Sequence, residues 1–166
     1  MMSVRQKRRL YGSLALVMML VIFLMSAADG ERSAGMSGKL TELAVQKLYP
    51  GYEGLNTAAQ EGAFDLMHHL LRKAAHFIEY AILGALYCLF LHTFPVKRAR
   101  LYAWLLGTAY AATDEVHQLF VLSRGASPAD VMLDSLGVAC GVLLAAAFSA
   151  FFTQTRQKRA LSSGGN

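Results

Sequence analysis

Charge is scarce in this chain. Asp, Glu, Lys and Arg make up 16% of the 166 residues, against 55% apolar residues. The apolar positions form long blocks rather than amphipathic stripes, which excludes an ordinary soluble domain and points to a membrane protein. Cysteine is almost absent: Cys88 and Cys140 stand in different apolar blocks with no CxxC spacing, which excludes a disulfide framework. They read as small apolar packing residues. Although the net charge is +5, no basic stripe is interleaved with stacking aromatics, so no nucleic-acid partner is implied. Internal repeats and low-complexity tracts are also lacking.

Four apolar blocks are present, at about 11–28, 74–94, 101–122 and 129–152. Each approaches the ~20 residues needed to cross a hydrocarbon core of ~30 Å. Little chain remains outside them, so the expected fold is all-α: an integral membrane four-helix bundle forming one domain over 1–166. Arg5, Lys7, Arg8 and Arg9 precede the first block; Lys97, Arg98 and Arg100 separate the second and third; Arg156, Lys158 and Arg159 follow the fourth. All 11 acidic residues lie elsewhere. The positive-inside rule then places both termini in the cytoplasm, and the basic ends suit anionic inner-leaflet lipid. The first block also fits a signal peptide, with a basic start, an apolar core from Leu14 to Met25 and small residues Ser26 to Ala28. Cleavage there would leave three spans.

The segment 29–73 is the one long external stretch and is expected to be helical, divided by the turn signal Tyr49-Pro50-Gly51. From Ser37 to Leu48, a face carrying Leu40, Leu43, Ala44 and Leu48 suits a helix lying on the membrane surface. From Thr57 the pattern runs helically into the second span. The connections 95–100 and 123–128 are short, so the last three spans should be antiparallel neighbours.

Within the third block stand Asp114, Glu115, His117 and Gln118. A charge at the bilayer centre costs roughly 2.5–3.5 kcal/mol on insertion scales, so such a helix must aim these groups at protein, water or a ligand. Reading the spans as alternating, three helices place ionisable groups in one outer-half layer: Arg72, Lys73, His76, Glu79 and Tyr80; Asp114 to Gln118; Asp130 and Asp134. Tyr110, Asp114 and Gln118 stack at i, i+4, i+8. Asp130, Asp134, Gly137 and Gly141 share a face whose glycines permit close packing, which turns the aspartates inward. Arg124 lies in the loop closing over the layer. Arg72, Lys73 and Arg124 oppose five carboxylates, a deficit met by protonating His76 and His117, by protonating a carboxylate, or by a bound cation.

Several chemistries follow from these residue types. Glu115, His117, His76 and Asp114 are the candidate acid/base groups for catalysis. Asp114, Glu115, His76, His117, Asp130 and Asp134 are all possible ligands of a divalent cation, although the Asp114 to Gln118 run lacks the paired histidines of a zincin helix. No other cofactor is implied. Ser123 and Ser127 belong to no nucleophile elbow or triad. Arg72, Lys73 and Arg124 suit phosphate or carboxylate recognition. A buried salt-bridge network that only locks helix packing is the structural alternative.

The stretches RKAAHFIEYAILG, YAATDEVHQLF and SRGASPADVMLDSLGVACG resemble VanZ-like membrane proteins, the family named for a teicoplanin-resistance accessory protein. The likeness covers about 72–141, and FLMSAADGERSAGMSG is similar to the segment after that family's first span, which favours a retained first helix. The resemblance marks Lys73, His76, Glu79, Tyr80, Asp114, Glu115, His117, Gln118, Arg124, Asp130 and Asp134. It implies a small bacterial protein of the cytoplasmic membrane with envelope phenotypes, in some members lower susceptibility to glycopeptides. Three functions are expected to compete: a binding protein for a cell-wall precursor, lipid head group or glycopeptide; an enzyme acting on a lipid-linked intermediate; and an ion- or proton-coupled carrier. Membrane lipid is the partner common to all three, and no oligomeric state follows.

Overall fold

The computed structural model describes residues 2–27, 30–121 and 127–163, except for the side chains of 30–37 and 156–163. Five α-helices, joined by turns and loops, account for nearly all of it: α1 (Val4–Ala27), α2 (Gly30–Leu48), α3 (Thr57–Leu91), α4 (Ala99–Gln118) and α5 (Pro128–Ser163). There is no strand among the described residues.

Local sequence explains the helix boundaries. Ser3 and Gln6 form a reciprocal capping box at the start of α1, the Ser3 hydroxyl accepting from the Gln6 amide at 3.2 Å and the Gln6 side chain from the Ser3 amide at 2.8 Å. Gly51 turns the chain after α2 with φ 83°, a conformation glycine adopts without cost. Asn56 then caps α3, its side-chain oxygen accepting from the Ala59 amide at 2.9 Å. Just past the other end of α3, the Arg8 guanidinium donates to the Thr93 carbonyl at 2.9 Å and lies 3.8 Å from the centre of the Phe94 ring. This ties the N-terminal basic segment to the turn after α3. Pro128 opens α5, where its missing N–H is no loss.

α3 is the central element and packs against all four other helices, most extensively against α5. Small residues make that contact possible. A Cβ on Gly137 would come within 2.6 Å of the Phe77 carbonyl oxygen, and one on Gly141 or Gly84 would overlap the backbone of Ala81 or Val138. The glycine face expected on α5 is therefore its seam with α3. Gly107 of α4 receives the Val138 side chain, so Val138 wedges between α3 and α4. Across the α4–α5 contact, Ser135 accepts from the Trp104 indole at 3.1 Å and shares a 2.8 Å hydrogen bond with Thr108. α1 is bound by two hydroxyls, with Tyr110 donating to the Met19 carbonyl at 2.7 Å and Tyr87 to the Met19 sulfur at 3.1 Å.

The distribution of apolar side chains is the reverse of a soluble protein's. Large residues such as Leu16, Leu24, Leu136, Leu143 and Phe148 are exposed, while the interior holds Ala15, Ala103, Ala111, Val138 and Tyr80. Such an exterior demands lipid. Among the described residues, three helices are long and apolar enough to cross a membrane: Val4–Ala27, Thr57–Leu91 and the Pro128–Thr155 part of α5. α4, expected as the third of four spans, falls outside this set because its last turns carry Asp114, Glu115, His117 and Gln118.

The segment between α1 and α3 is helical as expected, but α2 is longer than Ser37 to Leu48. It turns Thr41 and Val45 inward and leaves Leu40, Leu43 and Leu48 exposed. From Thr57, α3 runs unbroken into the apolar stretch. Ala28, Ser123 and Arg124, singled out above, lie outside the described residues.

Candidate functional site

Near the polar ends of α3, α4 and α5 the helices enclose a crevice of about 330 Å³, lined by Arg72, Lys73, His76, Glu115, Gln118, Asp130, Leu133 and Asp134. Its interior is narrow, with room for a water molecule or a small polar group rather than a bulky ligand. Helical periodicity explains the lining: Lys73 and His76 lie one turn apart on α3, Glu115 and Gln118 on α4, and Asp130 and Asp134 on α5. The glycine seam directly below Asp134 draws α5 against α3 and sets the width of the opening.

Two ion pairs bridge α3 and α5. The Lys73 ammonium lies 2.6 Å from an Asp130 oxygen, with both side chains about a third exposed, and His76 Nδ1 lies 3.9 Å from Asp134, whose side chain is buried. Glu115 accepts a hydrogen bond from the Ser127 amide and so fastens α4 to the start of α5. Arg72 makes no ion pair among the described residues, which leaves a cation free at the crevice.

Behind this lining lies a second group. Glu79 is within electrostatic reach of His76, Asp114 and Asp134, and Tyr80 is within reach of Asp114. Asp114 is 4% exposed and accepts from Gln118 at 3.3 Å through one oxygen, and the buried Tyr80 hydroxyl lies beside the Asp114 carboxylate, close enough to interact with it. Among the described residues, one Glu79 oxygen and His117 Nε2 have no hydrogen-bond partner within the protein. A buried polar group left without a partner costs about 1–3 kcal/mol, so a layer of carboxylates and a tyrosine in an apolar bundle is an expensive way to lock packing alone.

The structure thus brings together Arg72, Lys73, His76, Glu115, Gln118, Asp130 and Asp134 in the crevice, with Glu79, Tyr80 and Asp114 behind them. His117 does not join them: its ring stacks on Phe23 of α1 at 4.6 Å, because one residue beyond Val116 the helix has turned away from α5. Arg124 lies outside the described residues. Among the described residues, no group of three or more His, Cys, Asp or Glu side chains is arranged to hold a metal ion. Ser127, read from the sequence as part of the loop closing over the layer, does so through its backbone amide. Sequence reasoning missed the wall residue Leu133, which carried no signal, and the Ser26 hydroxyl of α1, fully buried and without a partner among the described residues, which stood out as polar at the end of an apolar run.

No curated protein and no solved structure matches the chain. A family model described as VanZ/LLP1 matches residues 12–149, which takes in α1, α2, α3, α4, the crevice and the apolar part of α5. With that match spanning most of its length, the chain belongs to the VanZ/LLP1 family of membrane proteins.

Proposed function

We propose that this is an envelope protein of the bacterial cytoplasmic membrane, a single domain whose polar crevice opens to the outer face and binds a small charged group of an envelope component. The supporting observation is the layer of Tyr80, Asp114 and Glu79 behind a crevice lined by Arg72, which makes no ion pair among the described residues. α1, α3, α4 and α5 form a four-helix bundle with both termini cytoplasmic, an orientation supported by the basic residues before α1, between α3 and α4, and after the apolar part of α5. α4 crosses within the shelter of its neighbours, its polar turns facing protein rather than lipid. The association with glycopeptide tolerance is indirect. A crevice of this size takes the charged tip of a precursor or lipid and has no room for a glycopeptide.

An enzymatic reading is favoured by one observation: His76 and Glu115 line the same crevice and could serve as an acid/base pair across a bound group. A carrier is disfavoured, since among the described residues no buried Asp, Glu, His, Lys or Arg continues from the crevice toward the opposite membrane face.

The test is complementation of a deletion strain with wild type, Asp114→Asn, Glu115→Gln or Lys73→Met, with membrane levels checked and susceptibility measured for glycopeptides and unrelated drugs. Wild type restores tolerance selectively and the variants, though present in the membrane, do not. Equal complementation by all of them would reduce the charges to packing devices.

A further inference from the structure

The seam between α4 and α5 is closed inside but open outside. Around the small residue Ala112, with Val116 and Val131 at its sides, lies a shallow apolar depression; a second continues past Val131 to Leu136, Ala139 and Trp104. Val131 lines both, so the two form one groove. Its polar floor is already satisfied, because Trp104, Thr108 and Ser135 hydrogen-bond one another. At its upper end the groove reaches Glu115, which also lines the polar crevice. One side chain therefore separates a charged pocket from an apolar channel.

Dimensions indicate what fits. From Pro128 to Ala139, α5 rises by about 17 Å at ~1.5 Å per residue, close to one leaflet of a hydrocarbon core that is ~30 Å thick. Exposed Val116, Met132 and Leu136 border the hollow, and one lane runs along the seam with no second lane at the α3–α5 contact, where the glycines close the gap. The charge at the top bears on the head group: among the described residues Arg72 makes no ion pair, whereas Lys73 is held by Asp130 and Asp134 faces His76, which leaves Arg72 to meet an anion beside Glu115.

We propose that the α4–α5 groove and the crevice form one composite site for a single-chain lipid phosphate, the phosphate meeting Arg72 and the chain lying along Ala112, Val131 and Ala139. This rests on the functional reading above and names its ligand class.

The test uses the full chain in phosphatidylcholine nanodiscs with a dodecyl phosphate that carries a diazirine near the chain end, and the same chain on a neutral glucosyl head. The phosphate probe labels α4–α5 groove peptides at least tenfold more than the neutral probe. Arg72→Gln brings it down to the neutral level, and Ala112→Trp, which fills an exposed hollow without touching the core, lowers labelling tenfold at unchanged unfolding temperature. Equal labelling by both probes, or labelling indifferent to Ala112→Trp, would show ordinary bilayer lipid in the groove and overturn the proposal. Displacement by diacyl phosphatidic acid as effective as by unlabelled dodecyl phosphate would overturn the single-chain assignment. Complementation by Asp114→Asn does not involve the groove, so if labelling lacks selectivity while that variant still fails to complement, the crevice stands and the lipid is removed from it.

Discussion

Tyr80 is fully buried, with its hydroxyl beside the Asp114 carboxylate. Losing a hydrogen bond of this kind costs about 0.5–1.5 kcal/mol net. Tyr80→Phe is therefore expected to lower the unfolding temperature in detergent modestly while abolishing complementation; an unchanged unfolding temperature with complementation lost would show that the hydroxyl serves the ligand and not the fold. Lys73→Met, by contrast, breaks a pair that is a third exposed, and such pairs contribute only ~0–1 kcal/mol. Thermal unfolding should change little while function is lost. At this scale the sequence was informative about which residues matter, because a carboxylate in an apolar run announces itself. It was uninformative about pairing. Lys73 meets Asp130 and His76 meets Asp134 across 57 and 58 positions of chain, and His117, adjacent in sequence to the crevice helix face, turns to α1 instead.

The decisive elements are α3 and α5, held at backbone contact by glycines. Gly141→Ala places a methyl group into the Ala81 carbonyl, and with backbone on both sides nothing flexible can yield. Overpacking of this kind costs about 1–3 kcal/mol, and we expect a matching loss in thermal stability together with loss of the crevice. Gly62→Ala, also within α3 but with open space around it, should be neutral or stabilising by up to about 1 kcal/mol. Comparing the two variants by unfolding temperature separates helix propensity from seam packing. The glycine spacing on α5 made this seam legible in advance. The inward face of α2 was not: Thr41 and Val45 are packed while its leucines point outward, and a leucine stripe reads the same whether it faces protein or lipid.

For the whole molecule, apolar blocks disclosed four helices but not all their ends, since α1 starts at Val4, α3 at Thr57 and α5 runs on to Ser163, where polar turns extend each helix past its apolar block; α4 resists recognition as a span because the polar layer sits at its end. Orientation can be checked by labelling: Thr57→Cys, exposed at the start of α3, should react with a membrane-impermeant maleimide added outside intact cells, and reaction only after lysis would invert the bundle. The length of α3 has a separate consequence. Over Arg72 to Leu91 it rises about 29 Å at ~1.5 Å per residue, nearly the full hydrocarbon thickness of ~30 Å, so the turns from Thr57 to Leu71 stand clear of the oil. Arg72 then marks the waterline, and His76, Glu79 and Tyr80 lie about 6–12 Å beneath it at the same rise. In the proposed orientation, an amphiphile whose head group reached His76 would sit below the head groups of the surrounding lipids, out of the plane where soluble wall-binding molecules make contact.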